Sequence, residues 1–288
     1  MSTRIKLYDR VAEDAASIVI RSYSTSFSVA SRLLGADVRQ HIENIYALVR
    51  IADEIVDGGA EEAGLDLVAT TRQLNELERE TENALELGFS SNLIVHAFAL
   101  TAREVSFGAE LTAPFYESMR MDLSQKVHDQ SSFERYVYGS AEVVGLMCLC
   151  AFLNGYEVSD EQRAKLEHGA RALGAAFQKV NFLRDLADDF ETLGRSYFPG
   201  IEIATFTEEE KFRLLDDLDA DLRDAAIGQE LPSSSKKAVA LAHFLFAQLS
   251  KRIRATPASE LVRTRVRVPD VVKLRLAAAA AIGVSPRV

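Results

Sequence analysis

Two short acidic clusters are the residues best placed to do chemistry in this chain. The first reads Arg50-Ile-Ala-Asp53-Glu54-Ile-Val-Asp57 and the second Gln178-Lys-Val-Asn181-Phe-Leu-Arg184-Asp185-Leu-Ala-Asp188-Asp189. On a helix, positions four apart lie one above the other, so Asp53 and Asp57 project from one face and Arg50 joins them. Gln178, Asn181, Asp185 and Asp189 follow at spacings of three, four and four, a polar stripe beside Phe177, Val180, Phe182, Leu183 and Leu186. Carboxylates facing one another in a low-dielectric cavity repel and hold their protons unless cations separate them. Mg²⁺ takes one or two carboxylates, keeps several waters and completes its octahedron with phosphate oxygens. Two such pairs would suit a diphosphate, with Arg50 and Arg184 placed to hold the anion.

Spacing alone leaves a plainer reading open. With 43 acidic residues in 288, about six acidic pairs at i and i+4 arise by chance. A solvated helix face would look the same. Asp217 and Asp221, in a generally acidic stretch without amide or apolar company, fit that case. Ile51, Ala52, Ile55 and Val56 crowd the first cluster instead, as they would around inward-facing carboxylates.

The elements that must position these groups read as helices. Hydrophobic residues make up 48%, charged residues 26%, and 6 prolines and 15 glycines are spread over the chain, a profile of a folded, helix-rich domain. No proline precedes Pro114, so the first third can be nearly all helix. Patterning predicts helices over Ile18 to Val29, Val38 to Val56, Leu65 to Leu87 and Asn92 to Phe107, and another that Pro114 opens through Gln125. Further helices are expected over Ser132 to Phe152, Glu161 to Phe190, an acidic stretch ending at Asp224, Ser235 to Ala255 and Pro269 to Ile282. Neither strand alternation nor a dividing linker is visible, so residues 1–288 are expected to form one all-α domain of about ten helices around an enclosed interior.

Several function classes are excluded. A net charge of −10 gives no footprint for nucleic acid, so a phosphate-bearing ligand must be held locally. P-loop, dinucleotide, zinc-protease and serine-hydrolase signatures are missing, and the five histidines are scattered. Cys148 and Cys150 read as reduced core residues. Met1 to Asp14 lacks a signal-peptide core. The apolar runs Val143 to Leu153 and Leu276 to Val284 fall short of the ~20 residues that span a bilayer. A cytoplasmic protein, peripheral to the membrane at most, is the expectation.

In combination, the motifs resemble the squalene and phytoene synthase family. The resemblance rests on Ser24-Thr-Ser26-Phe27-Ser28, Ile45 to Gly58, Met119-Arg-Met-Asp122-Leu, Gln178 to Asp189 and Gly194-Arg195-Ser-Tyr197-Phe198-Pro199, in the family's order. It implies an isoprenoid synthase fold, a single helical bundle in which two Asp-rich helices face each other across a central cavity. It also implies Mg²⁺, for which Mn²⁺ could substitute, held by Asp53, Asp57, Asn181, Asp185 and Asp189. Arg50, Gln178, Asn181, Arg184 and Arg195 would contact diphosphate or metal-bound water. Tyr23, Thr25 and Ser26 would bind substrate at the end of the first helix, and Tyr138 would stand near the reacting carbons. The plainer reading of Tyr23 and Thr25 is helix packing.

The implied reaction joins two geranylgeranyl diphosphates head to head through a cyclopropyl diphosphate to phytoene, a step of carotenoid biosynthesis that requires no NADPH. Farnesyl diphosphate is the rival substrate, and a terpene cyclase or a non-catalytic helical scaffold are the other classes. Implied partners are prenyl diphosphates, upstream and downstream carotenoid enzymes and, for so insoluble a product, transient contact with a membrane surface. That contact would use an apolar rim or the basic segment Arg263-Thr-Arg265-Val-Arg267. The chain departs from the family pattern at Glu142, where a glycine is usual, and at Thr25, where some members carry lysine. Lys273 and Arg275 are candidates for the C-terminal basic contact.

Overall fold

A computed structural model describes residues 3–187, 195–225, 230–269, 272–273 and 276, with the backbone alone at 25–26. Its helices are α1 (Thr3–Tyr23), α2 (Thr25–Ser31), α3 (Ala36–Val56), α4 (Gly59–Glu62), α5 (Leu67–Leu87), α6 (Leu93–Glu104) and α7 (Ala109–Ser124). There follow α8 (Gln130–Val137), α9 (Val143–Leu153), α10 (Asp160–Arg184), α11 (Glu208–Asp224), α12 (Ser233–Ala255) and α13 (Ala258–Leu261). Among the described residues, β structure is confined to one isolated bridge between Val127 and Ser196. The all-α expectation therefore holds.

Local sequence explains most of the boundaries. Asn92, Asp129, Ser159 and Thr207 each accept a hydrogen bond from a first-turn backbone N–H, satisfying donors that a helix start leaves unpaired. Ser24 does the same for Phe27, which splits the predicted Ile18 to Val29 helix into α1 and α2. Pro114 does not open its helix as expected. It sits inside α7, which begins at Ala109 under the Gly108 cap. The second acidic helix ends at Arg184 with Asp185 as its C-cap, earlier than the spacing predicted. Asp188 and Asp189 lie outside the described residues, as does most of the predicted Pro269 to Ile282 helix.

A five-residue π-helical turn, Tyr138–Glu142, joins α8 to α9. The merged run Gln130–Leu153 is long and apolar enough to cross a membrane by length and composition, and half of it is buried inside the protein. It is packed within the bundle, held close to α7 and α10. A Cβ on Gly139 would stand 2.1 Å from the Pro114 carbonyl oxygen, and one on Gly174 would stand 2.5 Å from that of Ala141. Gly174 thus supplies the close approach that Glu142 gives up. The Glu142 carboxylate accepts from Arg171 Nε, 2.7 Å away.

The buried apolar residues form two large groups. One joins α8, α10, α11 and α12. The other joins α3, α5, α6, α7 and α9. Between them lies a cavity of about 1090 Å³, lined by residues from both.

Candidate active site

Helix α3 brings Arg50, Asp53 and Asp57 to the polar end of this cavity, and α10 brings Gln178, Asn181, Arg184 and Asp185. The two clusters expected to face one another do share one cavity. Asp53 is enclosed, and burial together with the neighbouring Asp57 charge holds its carboxyl well above the usual range, although Arg50 opposes this. Arg50 pairs with Glu54, and its guanidinium lies 4.5 Å from the centre of the Tyr23 ring. Tyr23 is half-exposed at the cavity rim. Thr25 and Ser26 begin α2, and their side chains lie outside the described set.

Asp57 is the C-cap of α3, where the partial negative charge of the helix end disfavours a carboxylate. Arg195 offsets this. It donates to Asp57 Oδ1 at 2.7 Å, to the Val56 carbonyl at 2.6 Å and to the Tyr197 hydroxyl at 3.2 Å. The guanidinium is only 6% exposed. Burial works against its charge, but Asp122 and Asp57 overcome that and raise its pKa. In the structure Arg195, a residue the resemblance places at the substrate, contacts the protein and positions Asp57.

Behind Arg195 lies a residue that spacing did not single out. The Asp122 carboxylate accepts from Tyr136 at 2.8 Å and from Tyr197 at 3.0 Å, with Arg195 at 3.5 Å. Burial pushes it up to about 7 against the pull of Arg195. Tyr136, Tyr197 and Asp122 line the cavity, whereas Tyr138 does not. Residues two apart on a helix point to nearly opposite sides, and Tyr138 packs beneath Arg171 at 5.3 Å. Of the two tyrosines, Tyr136 is therefore the one the structure places on the cavity wall. Asp122, Tyr136 and Tyr197 lie so far apart in sequence that no local period announces their meeting.

On the opposite wall, Asp185 Oδ1 accepts from Arg184 Nε at 2.8 Å and lies 2.7 Å from Arg265 Nε. Arg265 arrives on the segment after α13, which lines the cavity through Arg265, Val266, Arg267, Val268, Pro269 and Lys273. Lys273 thus reaches the site, and Arg275 lies outside the described residues. Arg265 belongs to the basic segment Arg263 to Arg267 and lines the cavity. Asp217 and Asp221 stand apart, clamping Lys179 of α10 at 2.6 and 2.7 Å.

The rest of the cavity is apolar. Phe27, Phe177 and Phe246 meet on one side, the last two stacked with centroids 3.8 Å apart. Val144, Cys148 and Phe152 of α9 supply another. Burial raises the Cys148 thiol to about 12, so it remains a neutral wall residue.

Among the described residues, no three His, Cys, Asp or Glu side chains gather as a metal site by themselves. The donor set nevertheless suits Mg²⁺, which needs few protein ligands when phosphate oxygens complete its shell. Asn181 Oδ1 is a buried acceptor without a hydrogen-bond donor, and Asp53 is a carboxylate that its neighbours push towards protonation. A cation answers both.

The helical bundle thus joins an acidic-and-basic polar end to an apolar cavity body. Residues 20–271 match the family model described as squalene/phytoene synthase. The chain is 28% identical over 236 residues to phytoene synthase 3, chloroplastic, of Zea mays, covering 80% of this chain and 50% of that protein. It is 33% identical over 185 residues to 15-cis-phytoene synthase of Pantoea ananas, covering 61% of this chain and 56% of that one. It spans about half the length of these relatives. A crystal structure of a dehydrosqualene synthase in complex with ligand superposes with a TM-score of 0.76 at 20% identity, covering 94% of this chain and 96% of the other. The chain belongs to the squalene/phytoene synthase family of prenyl transferases and has the isoprenoid synthase fold.

Proposed function

We propose that this protein condenses two geranylgeranyl diphosphates head to head to phytoene, releasing two diphosphates. The observation that carries the reading is the joining of both acidic clusters to one long apolar cavity. Asp53, Asp57, Asn181 and Asp185 would hold Mg²⁺ or Mn²⁺, with Asp189 expected beside them. The metal supplies charge stabilisation to the departing diphosphate.

The chain's own residues account for the rest. Arg50 and Arg184 hold the anion as the C1–O bond of the first substrate breaks, and Gln178 offers an amide donor to a phosphate oxygen. The aromatic wall of Phe27, Phe177 and Phe246 offers ring electrons to stabilise the allylic cation. The 2,3 double bond of the second substrate attacks that cation, and loss of one proton closes a cyclopropylcarbinyl diphosphate. A second ionisation, rearrangement and loss of a second proton give the triene. No hydride is consumed, so NADPH is not required. Apolar walls exclude the water that would quench either cation to an alcohol.

The test is incubation of purified protein with Mg²⁺ and either geranylgeranyl or farnesyl diphosphate, with and without NADPH, followed by mass analysis. A C40 hydrocarbon formed without NADPH supports the reading. A C30 product from farnesyl diphosphate alone, or no turnover with either substrate, overturns it.

A further inference from the structure

Helix α1 carries two apolar stripes, and the fold uses one. Ala12, Ala16 and Ile20, at intervals of four, are fully buried. Leu7, Val11 and Ile18 recur at four and seven on the other side and are 56%, 44% and 58% exposed. A helix that is apolar on two faces calls for two apolar partners, and the bundle supplies one. The charges on α1 are sorted in the same sense. Asp9 and Glu13 turn towards the protein, Asp9 lying 2.9 Å from His96 Nε2, and burial raises the Glu13 carboxyl. Arg4, Lys6, Arg10 and Arg21 are exposed, with Asp14 the one exposed acid among α1's described residues. The outward face is therefore cationic in a chain whose net charge is −10.

We propose that the outer face of α1 docks on an anionic lipid surface, with Leu7, Val11 and Ile18 entering the headgroup boundary and the flanking bases pairing with lipid phosphates. An apolar ridge flanked by bases is the pattern of a helix that lies in the plane of a membrane interface. Its position has a use. Ile20 and Tyr23, at the C-terminal end of the same helix, line the cavity. Ile18 precedes Tyr23 by about 7.5 Å along the axis. A docked α1 thus sets the cavity rim beside the bilayer, where a prenyl chain enters and a hydrocarbon leaves without crossing water. The benefit rests on the proposed lipophilic substrates, but the docking itself is read without them.

The experiment is co-sedimentation of the full chain with phosphatidylcholine vesicles, with and without phosphatidylglycerol, in the absence of substrate. The parent should bind the anionic vesicles, more weakly as salt rises. The triple variant Leu7→Gln, Val11→Gln, Ile18→Gln should lose about tenfold or more in vesicle affinity while keeping the parent's circular dichroism and melting temperature. Arg10→Glu with Arg21→Glu should abolish the preference for anionic vesicles. Undiminished binding by the triple variant overturns the proposal. So does a parent dimer that the triple variant converts to a monomer in sedimentation equilibrium, because the ridge would then be covered by a second copy. Because no turnover is measured, a failed vesicle assay and a failed product assay remain separate results.

Discussion

The guanidinium of Arg195 lies 2.7 Å from the carboxylate of Asp57, across 138 residues of chain, and the same group caps the carbonyl of Val56. One buried cation therefore fixes the end of α3 and the orientation of a carboxylate expected to bind metal. Arg195→Met should cost about 3 kcal/mol, since it leaves Asp122 in a buried site without its opposing charge. Urea unfolding measures the loss. Positioning also predicts that the Mg²⁺ concentration for half-maximal turnover rises severalfold, with Arg195→Lys recovering part of it. An unchanged Mg²⁺ dependence would limit Arg195 to stability.

Asp53→Asn and Asp185→Asn should each abolish product while leaving the melting temperature close to that of the parent. Asp217→Asn should keep full activity and lose at most about 1 kcal/mol, because Asp217 is mostly exposed and Asp221 still holds Lys179. Product analysis and thermal melts on the three variants distinguish an acidic site from acidic surface. Equal effects would sink the assignment.

The Tyr136 hydroxyl donates to Asp122, whereas Tyr138 lies under Arg171. Tyr136→Phe should lose about 1 to 2 kcal/mol through the unpaired acceptor and reduce product formation. Tyr138→Phe should match the parent in both. Paired melts and steady-state rates check this, and the reverse ranking would return the tyrosine role to 138.

Asp122 titrates near 7 in the folded chain against an ordinary 3.8, and Asp53 is shifted in the same direction. A raised carboxyl pKa means that the folded state binds the extra proton. Its stability is greatest below the ordinary value and falls as pH rises from about 4 to about 7. Melts of Asp122→Asn across that window should show a shallower decline than the parent. Mg²⁺ requires the ionised carboxylates, so its binding should release a proton wherever Asp53 still holds one. Calorimetric titration in two buffers of different ionisation enthalpy detects that release.

Much of the fold and part of the site are legible in the sequence, for reasons that are local. Capping side chains such as Asn92 and Ser159 mark helix starts within a few residues, and the spacing of Asp53 with Asp57 and of Gln178 with Asn181 is a property of one turn. Pro114 misled because its breaking tendency is overridden inside α7, where the next helical run packs against its carbonyl at Gly139. The link from Arg265 to Asp185 and the junction of Asp122, Tyr136 and Tyr197 depend on which distant segments meet. Nothing in the spacing of one segment records that. Resemblance to a family carried the quoted segments containing Asp122 and Tyr197, but not their common hydrogen-bonded carboxylate.

On α9, Val144, Cys148 and Phe152 face the cavity while Val143, Met147 and Ala151 are buried in the adjoining core. Cavity depth and bundle stability are therefore written in alternate letters of a single helix. Under the proposed function, substitutions at the first set change the space for a prenyl tail, while the second set keeps the helix anchored in the core. Such a helix lets the cavity lining and the core packing be altered at different positions.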